Sequence, residues 1–397
     1  MTHPTFSRLE QIFHRAAELE AEDREAFLTD EAERHPDLAA KARDLLRADA
    51  LLADKKTVRA AAASITGQRV SPGTKIGPFT IRRLLGQGGM GSVYLGDRVE
   101  GDIEQQVAIK LIHGPWVDNT ARYRFRLESQ VLARLEHPGI SRWIDSGETD
   151  DGFPYLAMEY ISGEPITSYC EAKRATVAET LRLFLRACQA VSYAHRSLIV
   201  HRDLKPDHVL VTEDGDVRLV DFGIAKPLTH RFGRVQVEET ATQARMYSPR
   251  YAAPEQILGR AGTVATDIYA LGVMLYELLT ATLPFDGGSA RQVEDLVLAG
   301  HPEAPSRRVT RRDDQASHKL AGRLRGDLDS LVLKCLQREP RERYASVAEL
   351  IADVDRFLVH RPVLARQGRL AYRLGKFGRR HRLPLAAALA VLSVVVT

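Results

Sequence analysis

Asp203, Asp221 and Lys110 each occupy a short stretch in which a charged group is set against apolar neighbours, as a reacting site would require. Asp203 lies in His201-Arg202-Asp203-Leu204-Lys205-Pro206, after a long helical pattern and the β-rich stretch Ser197–Val200. A carboxylate there can take a proton from an attacking hydroxyl, and Lys205 can steady a transferred anionic group by charge. Asp221 heads Asp221-Phe222-Gly223 after the strand-like run Val217–Val220. Its oxygens suit a hard divalent cation. Lys110 ends the apolar run Val107-Ala108-Ile109-Lys110. Taken alone it would be a surface lysine, since lysine is nearly always exposed.

Three further stretches surround these. Gly86-Gln87-Gly88-Gly89-Met90-Gly91 continues into Ser92-Val93-Tyr94-Leu95, which has strand composition. Glycines there let backbone N–H groups approach phosphate oxygens without a Cβ in the way. A dinucleotide fingerprint would need a helix after the last glycine, so a strand–loop–strand hairpin over a nucleotide is expected. Glu128 lies at helical spacing from Leu132 and Leu135, on an inward face. A buried carboxylate needs a partner, and Lys110 is the natural one. Ala253-Pro254-Glu255 would close the long loop opened at Asp221.

Taken together, in this order, these stretches resemble the eukaryotic-like (Hanks-type) serine/threonine protein kinases of bacteria, over roughly residues 76–358. The roles that follow are the known mechanics of that signature set. The resemblance implies that Leu85, Gly86, Gly88, Gly89, Gly91, Val93 and Ala108 shape the ATP site, with Met158, Glu159 and Ile161 in the hinge. Met158 falls at the gatekeeper position. It further implies that Lys110, oriented by Glu128, holds the α- and β-phosphates. Asp203 would be the catalytic base and Lys205 would reach the γ-phosphate. Asp221 would bind Mg²⁺, Glu255 would pair with Arg343, and Asp267 would cap a helix behind the catalytic loop. Lys205 after the catalytic Asp resembles the serine/threonine subclass. Arg202 beside Asp203 implies control by a phosphate on the activation segment, with Thr240 or Thr242 as the expected sites.

The chain departs from the family where an asparagine ligand to a second Mg²⁺ is replaced by His208. A neutral imidazole is the softer ligand, better matched to Mn²⁺ or later metals. An active kinase is expected, and a silent nucleotide-binding scaffold is the alternative reading. Ser248 keeps a hydroxyl where many members have threonine, so little loss is expected there.

The elements that must position these residues form an α+β, two-lobed pattern. Phe79–Leu85, Ser92–Leu95 and Gln106–Ile112 read as strands. Val177–His195, Asp267–Thr280 and Val293–Leu298 read as helices, and strands first with helices later imply a β-rich N-lobe (76–160) and a helical C-lobe (161–358). Residues 1–70 read as a small helical module and linker, with Phe6, Leu9 and Phe13 at helical spacing and no clustered reactive groups. No basic start followed by an apolar run opens the chain, so no signal peptide is expected.

The net charge is +4, but residues 361–382 hold eight basic residues and no acid. Without those eight, the 56 basic residues become 48 against 52 acidic ones, and the body is slightly negative. A nucleic-acid binder would carry a broad basic face instead. Residues 383–396 (LPLAAALAVLSVVV) follow with no charge. The run is shorter than the roughly 20 residues that cross a bilayer. It reads as the start of a single-pass span with the kinase on the cytoplasmic side of the inner membrane, since flanking basic residues stay inside. Packing of this run against the protein is the alternative. The three cysteines, Cys170, Cys188 and Cys335, lack metal-ligand spacing. They read as reduced core residues. The implied partners are therefore ATP, a protein substrate and a membrane.

Overall fold

The structure is a computed structural model that describes residues 27–29, 31, 70–88, 91–100, 103–112, 129, 132–149, 153–222, 248–312 and 314–366. The chain divides into two compact units. In the first, which runs to Ser71, residues 27–29 and 31 are helical, with Leu28 buried.

The second unit begins with strands because its sequence alternates. In β2 (Phe79–Gly88), Phe79 and Ile81 face inward, with polar residues between and after them. Period-two patterning of this kind makes a half-buried strand. Six antiparallel strands form one sheet in the order β1-β2-β3-β4-β6-β5. The others are β1 (Lys75–Ile76), β3 (Gly91–Glu100), β4 (Ile103–Ile112), β5 (Trp143–Glu148) and β6 (Pro154–Glu159). β2 to β4 are longer than the sequence alone indicates. Lys110 is consequently two residues short of the end of β4, not at it.

The C-lobe is built around α4 (Val264–Thr280), which is apolar on nearly every side; Ile268, Leu271, Met274 and Leu275 are fully buried. A helix hydrophobic all round belongs in a core. Around it stand α1 (Ile166–Ala172), α2 (Val177–Arg196), the short α3 (Pro254–Ile257), α5 (Ala290–Ala299), α6 (Pro305–Thr310), α7 (Gln315–Leu324), α8 (Asp327–Cys335) and α9 (Val347–Leu358). A three-stranded sheet of β7 (Gly163–Pro165), β8 (Val209–Thr212) and β9 (Val217–Leu219) lies between these helices and the hinge in sequence, with β8 in the middle. All three cysteines are free and buried, as expected.

α2 starts with a reciprocal cap. The Glu179 carboxylate accepts from the Thr176 backbone N–H at 2.8 Å, and the Thr176 hydroxyl accepts from Glu179 N–H. Such a cap is worth about 1 kcal/mol. At its other end the structure departs from expectation: Ser197–Val200 is a turn, not a strand. The Leu198 and Ile199 N–H groups donate to the carbonyls of His195 and Ala194, both at 3.0 Å. Leu198 adopts φ +61°. These amides close the helix C-terminus and are not free to pair in a sheet.

Two buried carboxylates tie the lobe together. Arg343 donates both terminal guanidinium nitrogens to Glu255, each at 2.8 Å, with both side chains buried. The pair that the family resemblance implied is thus formed. Asp353, fully buried on α9, accepts from Tyr344 O–H (2.9 Å) and from the N–H groups of Leu364 (2.5 Å) and Ala365 (2.8 Å). Val363 is buried, and Arg366 reaches Asp327 at 3.1 Å. The first residues of the basic segment are therefore packed on the lobe.

Breaking one side of a buried ion pair leaves an uncompensated charge. Glu255→Gln is expected to lower unfolding stability by roughly 3 kcal/mol at neutral pH, read by urea denaturation. Burial pushes the Glu255 carboxyl up, but the hydrogen bonds and charge of Arg343 outweigh it and hold it below its usual 4.5. Its stabilising contribution is thus complete above that value and is lost as pH falls through the lower folded one. The acid limb of stability should be shallower in the variant than in the wild type.

Candidate active site

The site's roof follows from strand register. Val93 of β3 pairs with Lys110 of β4, which pairs with Leu156 of β6; two residues away, Leu95, Ala108 and Met158 align in the same way. Residues opposite one another, and those two apart, share a face of the sheet. That face therefore presents Val93, Ala108, Met158 and Lys110 together, under the hairpin where Gly86 pairs with Val93 and Gly88 with Gly91. Leu85 is partly exposed on the approach to that hairpin.

The glycines differ in their reasons. A Cβ at Gly91 would meet the Leu111 carbonyl oxygen at 2.2 Å, so β3 can lie on β4 only with glycine there. A Cβ at Gly86 or Gly88 would meet nothing within 4 Å, and neither residue has a positive φ. Protein packing does not require glycine at those two positions. A ligand approaching the backbone would.

The floor is a loop held from behind. Asp267, on the first turn of α4 and 1% exposed, accepts from three donors. The N–H groups of His201 and Arg202 approach at 2.8 Å each, and His195 Nε2 on α2 also lies at 2.8 Å. Arg202 takes φ +65°. A side chain there costs of order 1 kcal/mol or more and persists only when its surroundings over-determine it. Asp267 and the Gln256 side chain, which donates to the Arg202 carbonyl at 2.8 Å, do so. The loop then presents Asp203, whose Oδ1 lies 3.4 Å from Ser248 N, and Lys205.

Four reactive groups form one connected line. Lys110 Nζ bonds both Asp221 oxygens, at 2.5 and 2.7 Å. His208 Nε2 lies 3.5 Å from Asp221 Oδ2, and His208 Nδ1 lies 2.7 Å from the Asp203 carbonyl oxygen. Burial pushes the Asp221 carboxyl up, but the Lys110 charge outweighs it and the group stays below its ordinary range. The His208 ring is lowered by burial, with the Lys205 and Lys110 charges adding to that against the pull of Asp221 and Asp203. Beneath the line, burial holds the His201 imidazole down to about 4, so it is neutral at physiological pH. It stacks near Phe222 at 4.8 Å between centroids.

Of the residues expected from sequence, Lys110, Asp203, Lys205, His208 and Asp221 are brought together below the sheet face that carries Val93, Ala108 and Met158. Met158 and Ile161 are buried at the crossing between lobes, and Glu159 there ties its N–H to the Arg142 carbonyl at 2.8 Å. Gly89, Glu128, Thr240, Thr242 and the apolar run 383–397 lie outside the described residues. Lys110 was expected to meet Glu128; its described partner is Asp221. His195 and Gln256 were not foreseen. Their only sequence signals were a histidine near a helix end and a glutamine following Ala-Pro-Glu.

The residues fit a nucleotide with a divalent cation. Among the described residues no group of three or more His, Cys, Asp or Glu side chains could hold a metal alone. Asp221 and His208 supply two donors. Mg²⁺ characteristically takes one or two protein ligands and completes its shell with substrate phosphates and water.

A glycine hairpin over a lysine and two aspartates, between a β-lobe and a helical lobe, defines a bilobal phosphotransferase of the protein kinase class. The model of the protein kinase domain matches residues 79–354, and the chain belongs to that family. It is 33% identical over 292 residues to serine/threonine-protein kinase PrkC of Bacillus subtilis, covering 73% of this chain and 41% of PrkC. It is 32% identical over 283 residues to serine/threonine-protein kinase PknB of Mycobacterium tuberculosis, covering 70% and 42% respectively. The chain thus spans about two fifths of the length of these relatives. Among solved structures, the PknI kinase domain of M. tuberculosis superposes with a TM-score of 0.53 at 27% identity, covering 73% of this chain and 99% of that one.

If Asp267 holds the loop, weakening it should loosen specific amides. Asp267→Asn is expected to speed hydrogen exchange at the His201 and Arg202 N–H groups by roughly 10–100-fold, while amides in α9 keep their protection. Exchange read by mass spectrometry or NMR checks this.

Proposed function

We propose that this chain is a serine/threonine protein kinase that transfers the γ-phosphoryl group of ATP to Ser or Thr hydroxyls of proteins. The observation that carries this is the unbroken line from Lys110 through Asp221 and His208 to Asp203 beneath the glycine hairpin. The apolar face of Val93, Ala108 and Met158 suits a purine, and Lys110 suits the α- and β-phosphates. The acceptor hydroxyl attacks the γ-phosphorus as its proton passes to Asp203; the bond to the β-phosphate oxygen breaks and ADP leaves. Lys205 offsets charge on the moving phosphoryl group. Asp221 and His208 are placed to hold a divalent cation, Mg²⁺ or Mn²⁺, which when bound neutralises phosphate charge. Lys205 beside Asp203, together with the names of the relatives, favours Ser/Thr over Tyr.

Finer readings rest on sequence. Phosphorylation at Thr240 or Thr242 would bring a charge of about −1.5 to −2 that Arg202 can pair with. The basic segment 361–382 and the apolar run 383–396 suit a tether at the inner membrane with the kinase in the cytoplasm. Among the described residues no helix is long and apolar enough to cross a membrane. Residues 1–70 suit a docking module.

Asp203→Ala is expected to reduce phosphate transfer to a protein substrate by at least about 100-fold while binding of a fluorescent ATP analogue is retained. Equal transfer by the variant would end the assignment of Asp203 as base. Nucleotide binding without transfer by the wild type, with either Mg²⁺ or Mn²⁺, would favour the scaffold reading.

A further inference from the structure

We propose that His208 is a direct nitrogen ligand, through Nε2, to a divalent cation shared with Asp221, and that this donor set favours Mn²⁺ over Mg²⁺. The inference rests on the nucleotide-site reading above and deepens it.

The argument starts from a tautomer. His208 Nδ1 lies 2.7 Å from the Asp203 carbonyl oxygen, which can only accept. Nδ1 therefore carries the hydrogen, and in the neutral ring Nε2 is a bare lone pair. Burial disfavours the charged ring. The bare nitrogen faces Asp221 Oδ2 at 3.5 Å, itself an acceptor. Two acceptors turned toward each other repel unless a proton or a cation lies between them.

The spacing suits a cation. Metal bonds of about 2.1 Å opening at 90–110° leave two donors roughly 3.0–3.4 Å apart, so the observed separation needs only a small closure. The outer contact also matches. Metal-binding histidines usually donate their other ring N–H to a carbonyl or carboxylate, which fixes the ring and raises its basicity. The Asp203 carbonyl does this for His208, so the metal ligand and the base are joined through one backbone group. A single turn, Pro206–His208, sets that geometry.

The donor set then decides the metal. Mg²⁺ strongly prefers oxygen and near-ideal octahedral geometry. Imidazole nitrogen suits later first-row metals. A mixed site of one carboxylate and one imidazole, completed by phosphate oxygens, therefore tilts toward Mn²⁺.

The test uses the full chain with Mn²⁺ and a non-hydrolysable ATP analogue, read by pulsed EPR. A directly bound nitrogen is expected, its coupling altered by ¹⁵N-histidine labelling and absent in His208→Asn. Calorimetry should show Mn²⁺ affinity in the analogue complex falling by about tenfold in His208→Asn, with Mg²⁺ affinity unchanged or tighter. The isotope experiment needs no variant, so a folding defect cannot decide the result. Analogue and Mn²⁺ bound together without nitrogen coupling would overturn this inference alone. Failure of the analogue to bind with any metal would overturn the nucleotide-site reading and this inference with it.

Discussion

The buried carboxylate of Asp267 is the constraint on which the active site rests. It sits on the first turn of the most deeply buried helix, α4, and takes hydrogen bonds from the backbone of His201 and Arg202 and from the ring of His195. An ionised group at 1% exposure is costly unless its oxygens are filled. Here the filling donors belong to the catalytic loop and to α2. The cost of burying the charge and the cost of holding Arg202 at positive φ are met by the same contacts. A loop with no regular structure of its own thereby acquires the rigidity of the core beneath it.

The cleft above it carries opposing charges close together. Lys110 comes from the sheet, while Asp221, His208 and Asp203 come from the helical lobe, and only folding makes them neighbours. Without a bound nucleotide the charges are matched internally, since Lys110 neutralises Asp221. A nucleotide with its cation would substitute for that pairing, phosphate for the carboxylate at Lys110 and metal for the ammonium at Asp221. The arrangement is stable either way, as a group that must bind and release a highly charged substrate requires. The neutral state of His208 and His201 keeps further positive charge out of the same space.

The helical lobe extends past the end of the family match at residue 354. Asp353 binds the backbone of Leu364 and Ala365, and Arg366 meets Asp327. The first part of the basic segment is thus structural. Removing it would strip two of the three donors from a fully buried carboxylate. The charge pattern that marks residues 361–382 in the sequence therefore covers two physical situations, a docked strap up to Arg366 and a remainder outside the described residues.

Much of this was legible in the chain. Glycines, an Asp before Leu-x-Pro, and an Asp before Phe-Gly are constrained by chemistry that tolerates few alternatives, so their types and order pointed to the two-lobed fold and to Lys110, Asp203 and Asp221. Apolar periodicity located α2 and α4 to within a few residues. What the sequence could not supply was pairing. Ser197–Val200 has the composition of a strand, yet its amides were needed to close α2. Lys110 could have met either of two carboxylates, and it meets Asp221 in the described structure. His195 and Gln256 carry no local signature, because their role is to fill hydrogen bonds of groups many residues away. The tautomer of His208 is likewise set by a carbonyl that only the fold brings within reach. Local sequence specifies which atoms can react; hydrogen-bond satisfaction across the packed core decides which of them face one another.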